Sequence, residues 1–135
     1  MKIRLADTAD IDFLEKHDKH IKKEELLLAV SLRRILIAEC KEERVGWLRW
    51  NLFWDNTPFM NMLFVLDKYQ KQGYGVALVS FWEEQRKEEG YQMVLTSTLA
   101  DEAAQHFYRK LHYVDSGALL LPGEPLEIIF RKEIG

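Results

Sequence analysis

The sequence predicts a mixed α/β sheet in one domain that spans residues 1–135. Two observations favour this class. Strand patterns in the middle of the chain are joined by short polar turns, as in antiparallel hairpins, and one long helical pattern then separates two apolar strands, as in a parallel crossover. The predicted order, β-α-α-β-β-β-α-β-α-β-β, is not a regular βαβ repeat. No repeat, low-complexity tract or linker indicates a domain boundary.

The amino-terminal elements are predicted from alternation, capping residues and helical spacing. Residues 2–6 alternate as a strand, and Asp7, Thr8 and Asp10 follow as helix-capping types. We expect a first helix after these caps, a second from about Lys22 to Arg33, and a buried strand over 35–38. The expected apolar positions are Ile11, Leu14 and Ile21 in the first helix, and Leu26, Leu27 and Val30 in the second.

The central hairpins are predicted from two turns. A charged turn at 41–44 precedes a strand over 45–53, and Asp-Asn-Thr-Pro at 55–58 is a strong turn signal. Residues 59–66 form an apolar run broken at Asn61, which is typical of a central strand. On the 45–53 strand, Trp50, Leu52 and Trp54 are expected to alternate with Trp47, Arg49, Asn51 and Phe53.

The second half of the chain predicts two helices and three strands. A polar loop at 67–75 leads into a helix over about 74–89 that Gly90 ends. A strand at 92–97, a helix at 101–111 and strands at 113–121 and 126–131 follow. The expected inward positions are Val76, Leu78, Val79 and Trp82 in the first helix, and Ala103, Ala104 and Phe107 in the second.

Composition excludes several classes of protein. The 135 residues are 47% hydrophobic and 30% charged, which excludes disorder. A net charge of −3 disfavours nucleic-acid binding. No apolar segment approaches the roughly 18 residues that span a bilayer, and the N-terminus has no secretory pattern. The single cysteine, Cys40, forms no intrachain disulfide and is expected to be a buried strand residue, so a cytoplasmic location is predicted.

The segment 70–75, Gln-Lys-Gln-Gly-Tyr-Gly, joins a buried strand to a helix. Glycines in such a turn expose backbone N–H groups at a helix N-terminus, where the macrodipole favours phosphate. The alternative is that Gly73 and Gly75 merely shape a tight connection. A dinucleotide fingerprint would need glycine where Leu78 stands, and a Walker loop would end in Gly-Lys-Ser/Thr rather than Gly-Val-Ala at 75–77.

Two blocks resemble the GCN5-related N-acetyltransferases. Residues 63–75, Leu-Phe-Val-Leu-Asp-Lys-Tyr-Gln-Lys-Gln-Gly-Tyr-Gly, resemble the family's Gln/Arg-x-x-Gly-x-Gly/Ala motif with its lead-in strand. Residues 101–113 resemble the later helix, which ends in Phe-Tyr-x-Lys-Leu-Gly-Phe. The opening strand and paired helices also match. The resemblance thus covers essentially the whole chain and implies the acyl-CoA N-acyltransferase fold, with the sheet splayed between its fourth and fifth strands.

The resemblance implies an enzyme that transfers an acetyl group from acetyl-CoA to a small-molecule or peptide amine without a metal. Backbone N–H groups of residues 70–76 would hold the pyrophosphate. The pantetheine arm would pair with free backbone groups of Leu63 and Val65, and an N–H near Leu63 would polarise the thioester carbonyl. The implied acetyl-CoA-binding residues are Leu63, Phe64, Val65, Gln70, Lys71, Gln72, Gly73, Tyr74, Gly75, Val76, Asp101 and Tyr108.

Tyr108 is the implied general acid. A phenol of pKa about 10 suits a CoA thiolate whose conjugate acid has a pKa of about 8.5–10. The alternative is a core aromatic beside Phe107. Two positions depart from the family pattern. Asp101 stands where Asn often contacts the cofactor, and it can accept but not donate a hydrogen bond; His112 stands where Gly is usual.

The general base stays unassigned. A primary amine of pKa about 10.4 is almost fully protonated at neutral pH, and freeing it costs about 4.6 kcal/mol. Some family members carry Glu on the strand before the loop, where this chain offers Asn61. A water chain or an acceptor of lower pKa is equally open. Other carboxylates without positional support are Glu24, Glu25, Glu39 and Asp55.

The acceptor and the rival functions also stay open. The first two helices and the middle strands would line the acceptor pocket. Trp47, Trp50, Phe53, Trp54 and Phe59 form either core and a dimer face or an aromatic wall for the acceptor. His17 and His20 are spaced for a metal, but a solvated helix face is favoured. The resemblance is compatible with a homodimer. The rival functions are a non-catalytic acyl-CoA-binding module and a nucleotide-binding protein.

Overall fold

The computed structural model describes all residues from Met1 to Gly135. Its strands are β1 (Lys2–Leu5), β2 (Ile35–Cys40), β3 (Glu43–Phe53), β4 (Thr57–Val65), β5 (Met93–Leu99), β6 (Val114–Leu119) and β7 (Glu127–Glu133). Its helices are α1 (Ile11–His17), α2 (Lys23–Ser31), α3 (Tyr74–Glu88) and α4 (Ala104–Lys110). The sheet order is β1-β2-β3-β4-β5-β7-β6, with β4 and β5 parallel. The predicted mixed α/β sheet and element order are therefore confirmed. No helix combines the length and apolar character needed to cross a bilayer.

Contacts between residues divide the chain into two compact units, of which the first comprises residues 1–51 and 62–82. Helices α1 and α2 bury Leu14 and Leu26 against Ile35, Ile37 and Trp47. Each fully buried side chain of this size contributes about 1.5–3 kcal/mol. In the same unit the rings of Trp50 and Trp82, from β3 and α3, lie 6.2 Å apart.

A buried carboxylate ties the start of the first unit to β1 and β3. Asp10 is fully buried and accepts hydrogen bonds from Arg4 at 2.7 and 2.8 Å, from Arg44 at 2.6 Å and from the Asp7 N–H at 2.8 Å. Asp7 accepts in turn from the Ala9 N–H, which completes a capping box. Burial alone would raise the pKa of Asp10, but these hydrogen bonds outweigh it and hold the pKa far below its usual range.

The second unit comprises residues 52–61 and 83–135. Its parallel ladder between β4 and β5 has only two pairs, Phe59–Leu95 and Met60–Thr96, in agreement with the predicted splay of the sheet. The buried Thr96 hydroxyl donates to the Met60 carbonyl at 2.9 Å. Glu83 accepts hydrogen bonds from the Tyr113 hydroxyl at 2.7 Å and from Lys132 at 2.8 Å.

Leu26, Leu78, Val79 and Trp82 are buried as predicted, but four other predicted inward positions are exposed. Leu27 and Val76 are each 43% exposed. In α2 the buried side follows Leu26, and in α3 it follows the i, i+4 series Tyr74, Leu78 and Trp82. Ala103 and Ala104 are exposed because α4 begins at Ala104 and turns Tyr108 inward instead.

The β3–β4 turn also differs from its prediction. Trp54 was expected to continue the alternation of β3, but it has φ of 56° and Asp55 has φ of 63°, and the Asn56 N–H donates to the Phe53 carbonyl at 3.2 Å. Two left-handed residues in a two-residue turn match the twist of the flanking strands. Trp54 is consequently 75% exposed, with its ring 4.7 Å from that of Phe53.

The buried Asp10 predicts a stability that falls in acid. The pKa of Asp10 in the folded protein lies below its value of about 3.9 in the unfolded chain. The contribution of Asp10 to the free energy of unfolding is therefore fully present above about pH 3.9 and is lost as the pH falls below that value. Asp10→Asn should lower the free energy of unfolding at neutral pH by about 2 kcal/mol and flatten the acid dependence. Urea unfolding across this pH range, with the exposed Asp12→Asn as control, measures both. An unchanged acid dependence in Asp10→Asn would contradict this assignment.

Candidate active site

The end of β4 is set by its close approach to β3. β3 carries a bulge at Val45, whose carbonyl accepts the Leu66 N–H at 2.8 Å. The next residue is Gly46, where a Cβ would lie 2.7 Å from the Phe64 carbonyl oxygen and 3.3 Å from the Val65 Cα. Glycine at position 46 therefore allows the two backbones to meet. No local pattern of residues indicates this contact, because it depends on strand pairing.

The exposed end of β4 differs from the expected fully buried strand. Phe64 is 41% exposed, and Leu63 and Val65 are half-buried. The Val65 carbonyl accepts a hydrogen bond from Gln70 Nε2 at 2.9 Å. The prediction that the backbone groups of Val65 are free is therefore wrong at this carbonyl, because the Gln70 side chain folds back across the turn.

The turn between β4 and α3 presents a row of backbone donors. Lys71 and Gly73 have φ of 61° and 91°, whereas Gly75 lies in the first turn of α3 and lacks a positive φ. The first helical bond runs from the Ala77 N–H to the Gly73 carbonyl at 3.0 Å. The Gln70 N–H donates to the Asp67 carbonyl at 3.3 Å, so the prediction that it faces the pyrophosphate is wrong, because the chain turns back at this residue. No group of the protein accepts the N–H groups of residues 71–76. Only one of the two glycines thus supplies the left-handed turn, and Lys71 supplies the other left-handed residue.

This turn has the features of an anion site. Successive unpaired N–H groups at a helix N-terminus form a concave anion site. Lys71 and Gln72 are exposed, and a Cβ on Gly73 would meet nothing within 4 Å, so the surface in front of the turn is open. Lys68 and Lys71 add positive charge. Residues 71–76 have the donors that the diphosphate of a coenzyme A would need.

Tyr108 lies in an aromatic cluster of the second unit. Its side chain is 7% exposed, and its ring centroid is 5.3 Å from that of Phe107, 5.7 Å from that of Tyr113 and 6.2 Å from that of Phe130. Burial raises the pKa of Tyr108 to about 12, although hydrogen bonding to Thr96 opposes the shift. The phenol is therefore a weaker acid than its ordinary pKa suggests and stays protonated at neutral pH.

The two departures from the family motif have different local structures. Asp101 is exposed and precedes α4, so it lies outside the helix predicted for 101–111, and it has no hydrogen-bonded partner. His112 has φ of 73°, a conformation that glycine adopts without cost. This backbone explains why a glycine suits that position, and it assigns no chemistry to the imidazole.

A buried ion pair lies beside the α1–α2 connection, where the sequence predicted a solvated face. Asp18 is 4% exposed and accepts from Arg49 Nε at 2.9 Å, from Trp47 Nε1 at 3.3 Å and from the His20 N–H at 3.3 Å. Trp47 also lies 5.3 Å from the Phe64 ring at the end of β4. Asp18 was missed because its partners are distant in sequence.

His17 is half-buried rather than solvated. Its ring centroid lies 4.6 Å from that of Phe13 and 6.3 Å from that of Trp47. Burial, with the charges of Lys16 and Lys19, lowers the pKa of His17, so its imidazole is neutral at neutral pH. No group of three or more His, Cys, Asp or Glu side chains is arranged to hold a metal ion.

The carboxylates left open as bases are engaged or exposed. Glu39 pairs with Arg4. Glu24 and Glu25 are exposed in the first turn of α2, and Asp55 is exposed in the β3–β4 turn. Asn61 on β4 is exposed and is not a base. The described side chains therefore assign no general base.

The sequence matches the family model described as acetyltransferase (GNAT) domain over residues 31–115, which is more than half of the chain. The protein therefore belongs to the GNAT acetyltransferase family. A comparison with curated proteins finds no match.

Solved structures share this fold. Ard1 from Thermoplasma volcanium superposes with a TM-score of 0.85 at 15% identity, covering 98% of this chain and 97% of that chain. The ribosomal-protein-S18-alanine N-acetyltransferase from Escherichia coli superposes with a TM-score of 0.81 at 17% sequence identity, covering 98% of this chain and 93% of that chain. An aminoglycoside 6'-N-acetyltransferase complexed with coenzyme A superposes with a TM-score of 0.81 at 18% sequence identity, covering 99% of this chain and 97% of that chain. The predicted acyl-CoA N-acyltransferase fold is confirmed.

The tight packing at Gly46 predicts a loss of coenzyme binding when a methyl group is added. Gly46→Ala should push the Phe64–Val65 backbone away, destabilise the protein by about 1–3 kcal/mol and weaken coenzyme A binding about tenfold. Calorimetric titration and thermal unfolding measure the two effects. Gly90→Ala is the matched control, since it strains a residue with φ of 96° at the end of α3. Unaltered affinity in Gly46→Ala would contradict the positioning role.

Proposed function

We propose that the protein is an acetyl-CoA-dependent N-acetyltransferase acting on a primary amine of a small molecule or a peptide. The observation that carries the proposal is the row of unpaired N–H groups at residues 71–76. These groups would bind the diphosphate of acetyl-CoA. The exposed end of β4 would bind the pantetheine arm through the backbone of Leu63 and the N–H of Val65, since Gln70 already occupies the Val65 carbonyl. The cytoplasmic location and a homodimer stay predictions.

The proposed reaction is a direct transfer. The amine nitrogen attacks the thioester carbonyl carbon, so that a C–N bond forms and the C–S bond breaks. The nitrogen loses one proton and the departing sulfur gains one. The N–H near Leu63 would stabilise negative charge on the carbonyl oxygen. No Ser/His/Asp or Cys/His constellation is needed for this chemistry.

Tyr108 is proposed as the group that protonates the sulfur. A pKa of about 12 keeps its proton in place at neutral and moderately alkaline pH. That value exceeds the pKa of a CoA thiol, so the phenol donates a hydrogen bond as charge develops on sulfur and gives up its proton only late. The amine proton would leave through water, since no carboxylate is assigned as base.

A non-catalytic acyl-CoA-binding module is the second candidate. The observation that favours it is Asn61, which stands on β4 where a carboxylate base would assist the amine. Incubating acetyl-CoA with a panel of primary amines and measuring free thiol separates the two. Coenzyme binding without thiol release from any amine would favour the module. Melting shifts with ATP or NAD, but not with coenzyme A, would instead favour a nucleotide-binding protein.

The general-acid role predicts a specific loss in Tyr108→Phe. Turnover should fall at least about tenfold, while acetyl-CoA affinity stays within about twofold, because only the hydroxyl is removed. Tyr113→Phe is the matched control, since it removes another buried phenol, one that donates to Glu83. Equal turnover in Tyr108→Phe and the wild type would assign Tyr108 to the aromatic core alone.

The anion site predicts a charge-specific loss at Gly73. Gly73→Asp should weaken coenzyme A binding at least about tenfold relative to Gly73→Asn. Both variants strain a residue with φ of 91° by similar amounts, and only Asp brings a negative charge to the diphosphate. Calorimetric titration at low salt compares them. Equal affinities in the two variants would exclude a diphosphate at this turn.

A further inference from the structure

Two tyrosines flank the turn between β4 and α3, and the first of them is hydrogen-bonded to a nearby hairpin. Tyr69 lies just before the turn, and Tyr74 is the first residue of α3. The hairpin joins the end of β2, at Cys40, to the start of β3, at Glu43. The two residues between them both have left-handed backbone, which keeps the hairpin tight.

One tyrosine is bonded to the hairpin, and the other packs against the first. The Tyr69 hydroxyl donates to the Glu43 carboxylate, which raises the pKa of Tyr69. Tyr74 is 6% exposed, and the two rings meet edge to face with centroids 6.1 Å apart. We call Glu43, Tyr69 and Tyr74 the hairpin clamp.

Residues 71–73 of the turn make few contacts of their own. Lys71, Gln72 and Gly73 are all exposed, and Lys71 has a left-handed backbone that costs a non-glycine residue about 1–2 kcal/mol. Gln72 is held through its side chain, which donates to the Lys68 carbonyl at 3.2 Å. Such a turn keeps its conformation only when its two ends are fixed. The hairpin clamp fixes the Tyr69 end through Glu43 and the Tyr74 end through the contact between the two rings.

We propose that the hairpin clamp holds the turn in the conformation that receives the diphosphate, which makes Glu43 and Tyr69 positioning residues for acetyl-CoA. This inference rests on the proposed function. Neither residue belongs to the Gln/Arg-x-x-Gly-x-Gly/Ala motif. Glu43 lies on β3, and nothing in its own sequence neighbourhood indicates a link to the turn.

The clamp has a kinetic signature that general destabilisation lacks. If the turn is competent for only a fraction of the time, the apparent dissociation constant for acetyl-CoA rises by the inverse of that fraction. Once the coenzyme is bound, the turn is already in place. Loosening the clamp should therefore raise KM for acetyl-CoA and leave both kcat and KM for the amine unchanged.

Tyr69→Phe and Glu43→Ala test the clamp. Each should raise KM for acetyl-CoA about fivefold. The double variant should raise it no further, because the two changes remove the same hydrogen bond between Tyr69 and Glu43. Glu43→Gln keeps an acceptor and should restore most of the affinity. Tyr91→Phe removes a phenol outside the clamp and is the control. Because Glu43 is exposed, water replaces its lost partner and the melting temperature should stay within about 2 °C.

Other outcomes overturn the inference or the proposed function separately. An unchanged KM for acetyl-CoA in both single variants, or additive effects in the double variant, would refute the clamp. If the wild-type protein binds no coenzyme A, the proposed function fails. The clamp is then judged by backbone order parameters of residues 71–76 in the free protein. Lower order in Tyr69→Phe than in the wild type supports it, and equal order refutes it.

Discussion

The proposed coenzyme site depends on a row of backbone N–H groups that the protein leaves without acceptors. Every α-helix has unpaired donors in its first turn, but here the left-handed Lys71 and Gly73 extend the row backwards, so that it covers residues 71–76. Residues 71–73 at the start of the row are exposed, so water can satisfy their donors in the free protein at little cost. An anion that replaces this water gains several hydrogen bonds and the favourable end of the helix dipole together.

Such a row binds a ligand only if its backbone is fixed, and the packing around it supplies that constraint. Gly46 lets β3 contact the Phe64–Val65 backbone, and the Val45 carbonyl holds Leu66. Gln70 then bonds back to Val65 and fixes the exit from β4. The strand that would bind the pantetheine and the turn that would bind the diphosphate are therefore parts of one continuous connection within the first unit, and these contacts hold its β4 end.

Local signals were enough to predict this connection in outline. Glycine spacing, helical period and the apolar run of β4 depend on neighbouring residues, so the turn, α3 and the order of elements were all predictable. The buried side of each helix was less predictable than the order of elements. Val76 is apolar yet exposed, because Tyr74 takes the buried position one turn before Leu78. The exposed Trp54 also followed from the turn type rather than from its hydrophobicity.

The features that local patterns missed are pairings between distant residues. Asp18 has an ordinary polar neighbourhood and becomes buried only because Arg49 and Trp47 reach it from β3. Gly46 and the Cys40–Glu43 hairpin likewise gain their meaning from residues of β4 and the turn after it. The family resemblance named Tyr108, but the effect of burial on its pKa depends on the aromatic cluster around it.

The most direct test follows the backbone amide signals of residues 71–76 by nuclear magnetic resonance during titration with coenzyme A. Pantetheine, which lacks the diphosphate, is the comparison ligand. Diphosphate binding at the turn predicts that coenzyme A shifts these signals more than any others and that pantetheine leaves them in place. Saturable binding of coenzyme A with these signals unmoved, or equal shifts with both ligands, would contradict the central claim.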